Sequence, residues 1–215
     1  MHRAIILLSL LPILASLLTR RFFSDRILKS SSNYETSIAP LDLAEKMLLA
    51  AGHEDIKITI SKSNSNLQSD IKGKSISLPA KLTKSDTALT NGKAALIVGL
   101  YLLSIKQPKL LAQRQWAIRL GYVLPVFVLI IVIFAVVLAK LPIIWILSVI
   151  IGSISISCVA QLYVFIADRQ AAVLAEIILN KRNIFTRSHE KEAVILSIRA
   201  WSWHGIVPGL LAKFM

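Results

Sequence analysis

The chain has 215 residues, 55% of them hydrophobic and only 17% charged, with a formal net charge of +13. A soluble domain carries about 25% charged residues, so this balance, with a mean hydropathy of +0.65, points to a small soluble lobe plus a few membrane helices. The basic excess gathers beside apolar segments, as on cytoplasmic flanks of membrane helices, and without aromatic–basic interleaving it argues against nucleic acid; a single cysteine excludes an internal disulfide and a Cys-rich zinc cluster.

Residues 4–18 (AIILLSLLPILASLL) are apolar, short for a span and of signal-peptide length. No small-residue cleavage site follows, so residues 1–23 are expected to form an uncleaved membrane anchor. Phe22 and Phe23 would sit at the interface, and the arginines would snorkel. Arg20, Arg21, Arg26 and Lys29 outweigh Arg3, which predicts a cytoplasmic position for what comes next.

A polar linker is expected over 24–39, ending in SSSNYETSIA. A small α+β lobe should occupy 40–119. Pro40 opens a helix whose apolar residues Leu43, Ala44, Met47, Leu48 and Ala51 recur at helical spacing, and Gly52 stands at the C-terminal cap. Short alternating strands are predicted at 56–60 (IKITI) and 74–78 (KSISL). Asp86 is placed to cap a helix over 87–105. Its run AALIVGLYLLSI has a length that fits a buried or interfacial helix better than a span.

Lys106, Lys109, Arg114 and Arg119 precede LGYVLPVFVLIIVIFAVVLA (120–139), which is a full span. Residues 140–142 form a turn, and IIWILSVIIGSISISCVAQLYVFIA (143–167) returns. The transmembrane hairpin of 120–167 therefore has basic residues at both feet, with Arg169, Lys181, Arg182 and Arg187 on the far side, so both feet are expected in the cytoplasm. Within it Cys158 reads as small core or lipid-facing filler. Gln161 and Asp168 could face a groove between helices, although a position at a helix end accounts for Asp168 by itself.

Residues 168–215 read as C-terminal helices: one from 168, a turn around 180–186, and a terminal segment. In that segment Arg199 and His204 would be costly in mid-bilayer, while Trp201 and Trp203 suit an interface. It is expected to be membrane-associated. The fold class is thus a mostly α-helical integral membrane protein, with an anchor helix, a small α+β cytoplasmic lobe, a helical hairpin and C-terminal helices.

The order of parts resembles the bacterial membrane-bound neutral zinc metallopeptidases. PLDLAEKMLLAAGHEDIKI (40–58), KGKSISLPAKL (72–82), the hairpin, ADRQAAVLAEIIL (167–179) and KEAVILSIRAWSWHGIVPGLL (191–211) carry the likeness, which covers nearly the whole chain in layout. The resemblance implies a location in the bacterial plasma membrane and an HExxH motif on the helix after the second strand. There two His at i and i+4 hold zinc, a Glu activates its water, and an acidic third ligand comes from the helix after the hairpin.

Here the aligned positions read Leu96-Ile97-Val98-Gly99-Leu100, so both His and the Glu are aliphatic. The third-ligand stretch aligns with Phe165, Ile166 and Ala167, with Asp168 as the nearby carboxylate. Catalytic, metal and cofactor residues are accordingly expected to be absent, zinc included. The histidines (His2, His53, His189 and His204) lie far apart, and His189-Glu190 does not complete HExxH because position 193 is Ala. His53 reads as a surface turn residue, His189-Glu190 as solvent-facing, and His204 as interfacial. No Gly-x-Ser-x-Gly or Gly-rich phosphate loop is present.

Three readings follow. The first is a non-catalytic relative of these peptidases that binds polypeptide or membrane partners. The second is an active zinc peptidase using a divergent site from His53, His189 or Asp168. The third is a membrane-anchored structural protein whose basic face binds anionic lipid.

Overall fold

The computed structural model describes residues 2–61, 75–139, 142–182 and 184–212. The N-terminal segment is one rod: α1 (His2–Arg20), a π-helical turn (Arg21–Asp25) and α2 (Arg26–Ser31) follow with helical backbone at both junctions. Its amphipathicity is inverted relative to a water-soluble helix. Leu7, Leu11, Leu14, Leu18 and Phe22 are exposed, while Ser16, Arg20 and Ser24 are buried. Arg20, expected to snorkel, is instead only 8% exposed and bonded to Asp25.

The stretch read as a linker is ordered beyond α2. Glu35 bridges Thr87 in antiparallel fashion, with the Thr36 amide donating to the Asp86 carbonyl and the Ala88 amide to the Tyr34 carbonyl. Asn91 then donates from Nδ2 to Thr36 Oγ1 (2.6 Å) and to the Ile38 carbonyl (2.8 Å). These bonds fasten the segment to the next long helix.

The lobe begins with α3 (Pro40–Ala50), which buries Leu43, Ala44, Met47 and Leu48. Gly52 (φ +79°) ends it, and the His53 amide donates to the Leu48 carbonyl, as in a glycine-terminated helix. The strands are β1 (Lys57–Ser61) and β2 (Ser75–Pro79), paired in parallel from Lys57 against Ser75 to Ser61 against Pro79. Each is shifted by a residue from its expected position, and residue 74 of the second lies outside the described residues. After a 3-10 turn (Leu82–Lys84) comes α4 (Ala88–Lys106). Its cap is Thr87, not Asp86: Thr87 and Thr90 exchange side-chain-to-amide bonds, while Asp86 uses its backbone to hold Thr36.

The hairpin is α5 (Pro108–Ala139) and α6 (Ile143–Lys181). The turn residues 140 and 141 lie outside the described residues. At 1.5 Å per residue both helices exceed the roughly 30 Å of a hydrocarbon layer. The helix expected from 168 is no separate element: α6 continues unbroken past Asp168 because nothing between 160 and 181 stops it. The chain turns and enters α7 (Ser188–His204), and a short α8 (Gly209–Ala212) closes the described chain.

α6 touches α1, α4, α5 and α7. Its first half lies with α1 and α5; its second half packs Ala167, Ala171, Ala172, Ala175 and Leu179 into the lobe core. Four segments are long and apolar enough to cross a membrane: Leu7–Ser31, Ala88–Lys106, Pro108–Leu138 and Ile143–Lys181. They differ in surroundings. The apolar window of α4 is 78% buried by other protein and that of α5 only 11%, so α4 is a core helix of the lobe. The terminal segment of 193–212 supplies no such span; it breaks at Gly205–Val207 ahead of Pro208.

Candidate functional site

The positions where the resemblance would put the zinc motif lie in the buried core. Leu96, Ile97 and Leu100 are 1%, 3% and 2% exposed. They belong to one apolar cluster with Leu43 and Met47 of α3, Ile76 and Leu78 of β2, Ala171 and Ala175 of α6, and Val194 and Ile198 of α7. Gly99 brings α4 against α6: a Cβ there would overlap the carbonyl oxygen of Ala171. Gly92 does the same against Ser197 of α7.

The residues aligned with a third ligand diverge. Phe165 stacks on Trp203 (4.1 Å between centroids), Ile166 is exposed, and Ala167 is buried. Aliphatic side chains supply no lone pair, so these positions do not fit a zinc ion.

The histidines are placed apart. His53 is half-buried, edge-on to Tyr101 at 5.8 Å, rather than a free surface residue. His189 is exposed beside Tyr34. Glu190 is not solvent-facing: it is 2% exposed and accepts from the Ser37 hydroxyl (2.6 Å) and amide (3.0 Å). Those two bonds hold its carboxyl below the usual carboxylate range. Among the described residues, no three His, Cys, Asp or Glu side chains form a group able to hold a metal ion.

What the structure does assemble is a buried ionic cluster where α1, the π turn, α4, α5, α6 and α7 converge. Asp168 lies well inside α6, 4% exposed, and accepts from Arg114 of α5 at 2.7 Å. Two turns away along α6, Gln161 donates to the Ala117 carbonyl at 3.1 Å, beside Gly121, whose missing side chain makes room for the amide. Gly205 leaves space in the same way for Val164 and the Asp168 carboxyl. Lys93 of α4 sets Nζ 4.3 Å from the Trp201 ring centroid, and Trp201 donates to the Leu89 carbonyl at 3.0 Å.

On the α1 side Arg20 donates to Asp25 (3.2 Å), and His204 Nδ1 stands 3.8 Å from the same carboxyl oxygen. Burial, then the Arg20 and Lys93 charges, push the His204 pKa down to about 3. His204 is therefore neutral at physiological pH, and three cations (Arg20, Lys93 and Arg114) share two carboxylates.

A belt of rings marks the same level: Phe23 and Phe165 both pack on Trp203. Ser16 meets Cys158 at 3.6 Å, and Phe23 and Phe165 meet through Trp203, so α1 and α6 run in the same direction. Aligned charges, buried pairs and a ring belt fix five helices in register; chemically, the cluster is a clamp. Asp168 and Gln161 were the visible half of it in the sequence. The partner of Asp168 is signalled by hairpin arithmetic, since Arg114 and Asp168 each lie 27 residues from Leu141.

The chain matches no family model, no curated protein and no solved structure.

Proposed function

We propose that this chain is an integral membrane protein on the plan of the neutral zinc metallopeptidases, a non-catalytic pseudopeptidase that works by binding membrane or polypeptide partners. The observation that carries the reading is the enclosure of Leu96, Ile97 and Leu100 in an aliphatic core between the two helices that would hold the metal. A binding role, rather than another chemistry, is favoured because the Asp25 and Asp168 carboxyls are each engaged by an arginine, Arg20 within the N-terminal rod and Arg114 across the hairpin.

On this reading the sequence would put Arg20, Arg21, Arg26, Lys29, Lys109, Arg114 and Arg169 on one side of the bilayer and Arg3 and Lys140 on the other. The bias supports a plasma-membrane location with the lobe in the cytoplasm. The exposed leucines and phenylalanines of α1, α5 and α6 would then face lipid, since a water-exposed apolar surface of that extent is unusual in a soluble monomer.

Metal analysis of the purified full-length protein tests the catalytic half of the proposal. Substoichiometric zinc and no chelator-sensitive cleavage of casein are expected, and one tightly held zinc per chain would overturn it. Extraction with alkaline carbonate tests the membrane half: release into the supernatant would refute insertion.

A further inference from the structure

One face of the N-terminal rod changes character abruptly. Leu7, Leu11, Leu14, Leu18 and Phe22 follow one another at three- and four-residue spacing, all more than half exposed. The next positions on that face are Arg26 and Lys29, with Arg21 beside Phe22, and all three cations are exposed. Arg21, Phe22, Asp25, Arg26 and Lys29 line a cleft of about 360 Å³ around the π turn.

Among the described residues none of these three cations has an ion-pair partner. The carboxyl in the cleft, Asp25, is bonded to Arg20 instead. The cleft therefore presents three uncompensated positive charges at the end of an apolar track, and the Phe22 ring (64% exposed) lies at the join. A chain of methylenes along the leucines would bring an attached phosphate to Arg21, Arg26 and Lys29.

We infer that this cleft is a binding site for the headgroup of one anionic phospholipid, with its acyl chain lying along the Leu7–Phe22 face. The charge fixes the sign of the ligand, and the continuous apolar track selects a lipid over a free anion. The inference rests on the membrane insertion proposed above and adds to it a specific site.

The test uses the full chain reconstituted in phosphatidylcholine vesicles, with spin-labelled phosphatidylglycerol and phosphatidylcholine as probes. The wild type should prefer the phosphatidylglycerol probe, and each cation removed in R26Q and K29Q should lower that preference about fivefold at low salt. Charge-preserving R26K/K29R should keep it, and so should K106Q/K109Q, which removes two exposed cations elsewhere. Equal loss in K106Q/K109Q would mean a diffuse basic face and overturn the site, as would an unchanged preference in R26Q/K29Q. Displacement of the probe by inorganic phosphate alone would overturn the lipid assignment. Failure to reconstitute at all would instead sink the insertion reading, and unchanged helical circular dichroism in each variant keeps misfolding from imitating a lost site.

Discussion

Gly99 of α4 meets the carbonyl oxygen of Ala171 on α6 with no room for a methyl group between them. This contact holds α4 directly against α6, one residue from Leu100. Backbone-to-backbone approach fills the space between them, with alanines along the α6 side.

Gly99→Val should therefore separate α4 from α6 and cost about 1–3 kcal/mol or more, the usual range for overpacking a filled core. Gly152→Ala provides the contrast, because a Cβ there meets nothing within 4 Å. Thermal unfolding in detergent should show a lowered midpoint for the first and little change for the second.

Rebuilding the motif should not rebuild the enzyme. Leu96→His, Ile97→Glu and Leu100→His would place three polar groups where exposure is 1–3%, each costing about 1–3 kcal/mol when left without a partner. Positions 165–167 would still offer a ring and two aliphatic groups. The triple variant should be strongly destabilised and show no chelator-sensitive proteolysis; measurable activity would mean that another carboxylate completes the site.

The Arg114–Asp168 pair should behave as a buried ion pair does. Arg114→Ala or Asp168→Ala alone leaves one charge uncompensated and should cost about 3–5 kcal/mol. Arg114→Met together with Asp168→Leu should recover most of that loss. A double-mutant cycle on unfolding measures the coupling, and additive losses would contradict a direct pair.

Two groups outside the spanning segments should shape the acid side of the stability curve. Glu190 has a folded pKa below its unfolded value, so its contribution is present above the ordinary carboxylate range and is lost as pH falls through the folded pKa. The gap in melting temperature between wild type and Glu190→Gln should be widest at neutral pH and close toward acid. His204, held at about 3, is also depressed. The unfolded chain takes up that proton near pH 6.5 and the folded chain does not, so stability falls as pH drops from there toward 3. His204→Gln should flatten that part of the profile.

Much of the layout was legible because periodicity and hydropathy act locally. Gly52, the two strand runs and the hairpin required no knowledge of distant residues. That α4 is a buried or interfacial helix is also legible, since the twelve uncharged and mostly apolar residues of 94–105 are too few for a span. The cap at Thr87 is not evident from sequence because Asp86 is an equally good cap by type; what distinguishes them is that the Asp86 carbonyl accepts from Thr36, a contact 50 residues away. The same reason hid the burial of Arg20 and Glu190: each looks like a surface charge until its partner, five residues away on a π turn or 153 residues away at Ser37, is in place. Asp168 read as a helix-end residue because the continuation of α6 was split in two.

The parallel contact of α1 with α6 has a consequence for how the protein is made. Cys158 follows Ser16 by 142 residues, which at about 5–20 residues per second is a delay of roughly 7–28 s during synthesis. On the membrane-embedded reading, the newborn anchor waits in the bilayer through that interval with Ser16, Arg20 and Ser24 still uncovered. The leucine face can hold it there alone; the serine and arginine face cannot be completed until the last quarter of the chain leaves the ribosome. A cell making this protein therefore carries a population of half-dressed anchors, and the early segment is where insertion machinery would be needed longest.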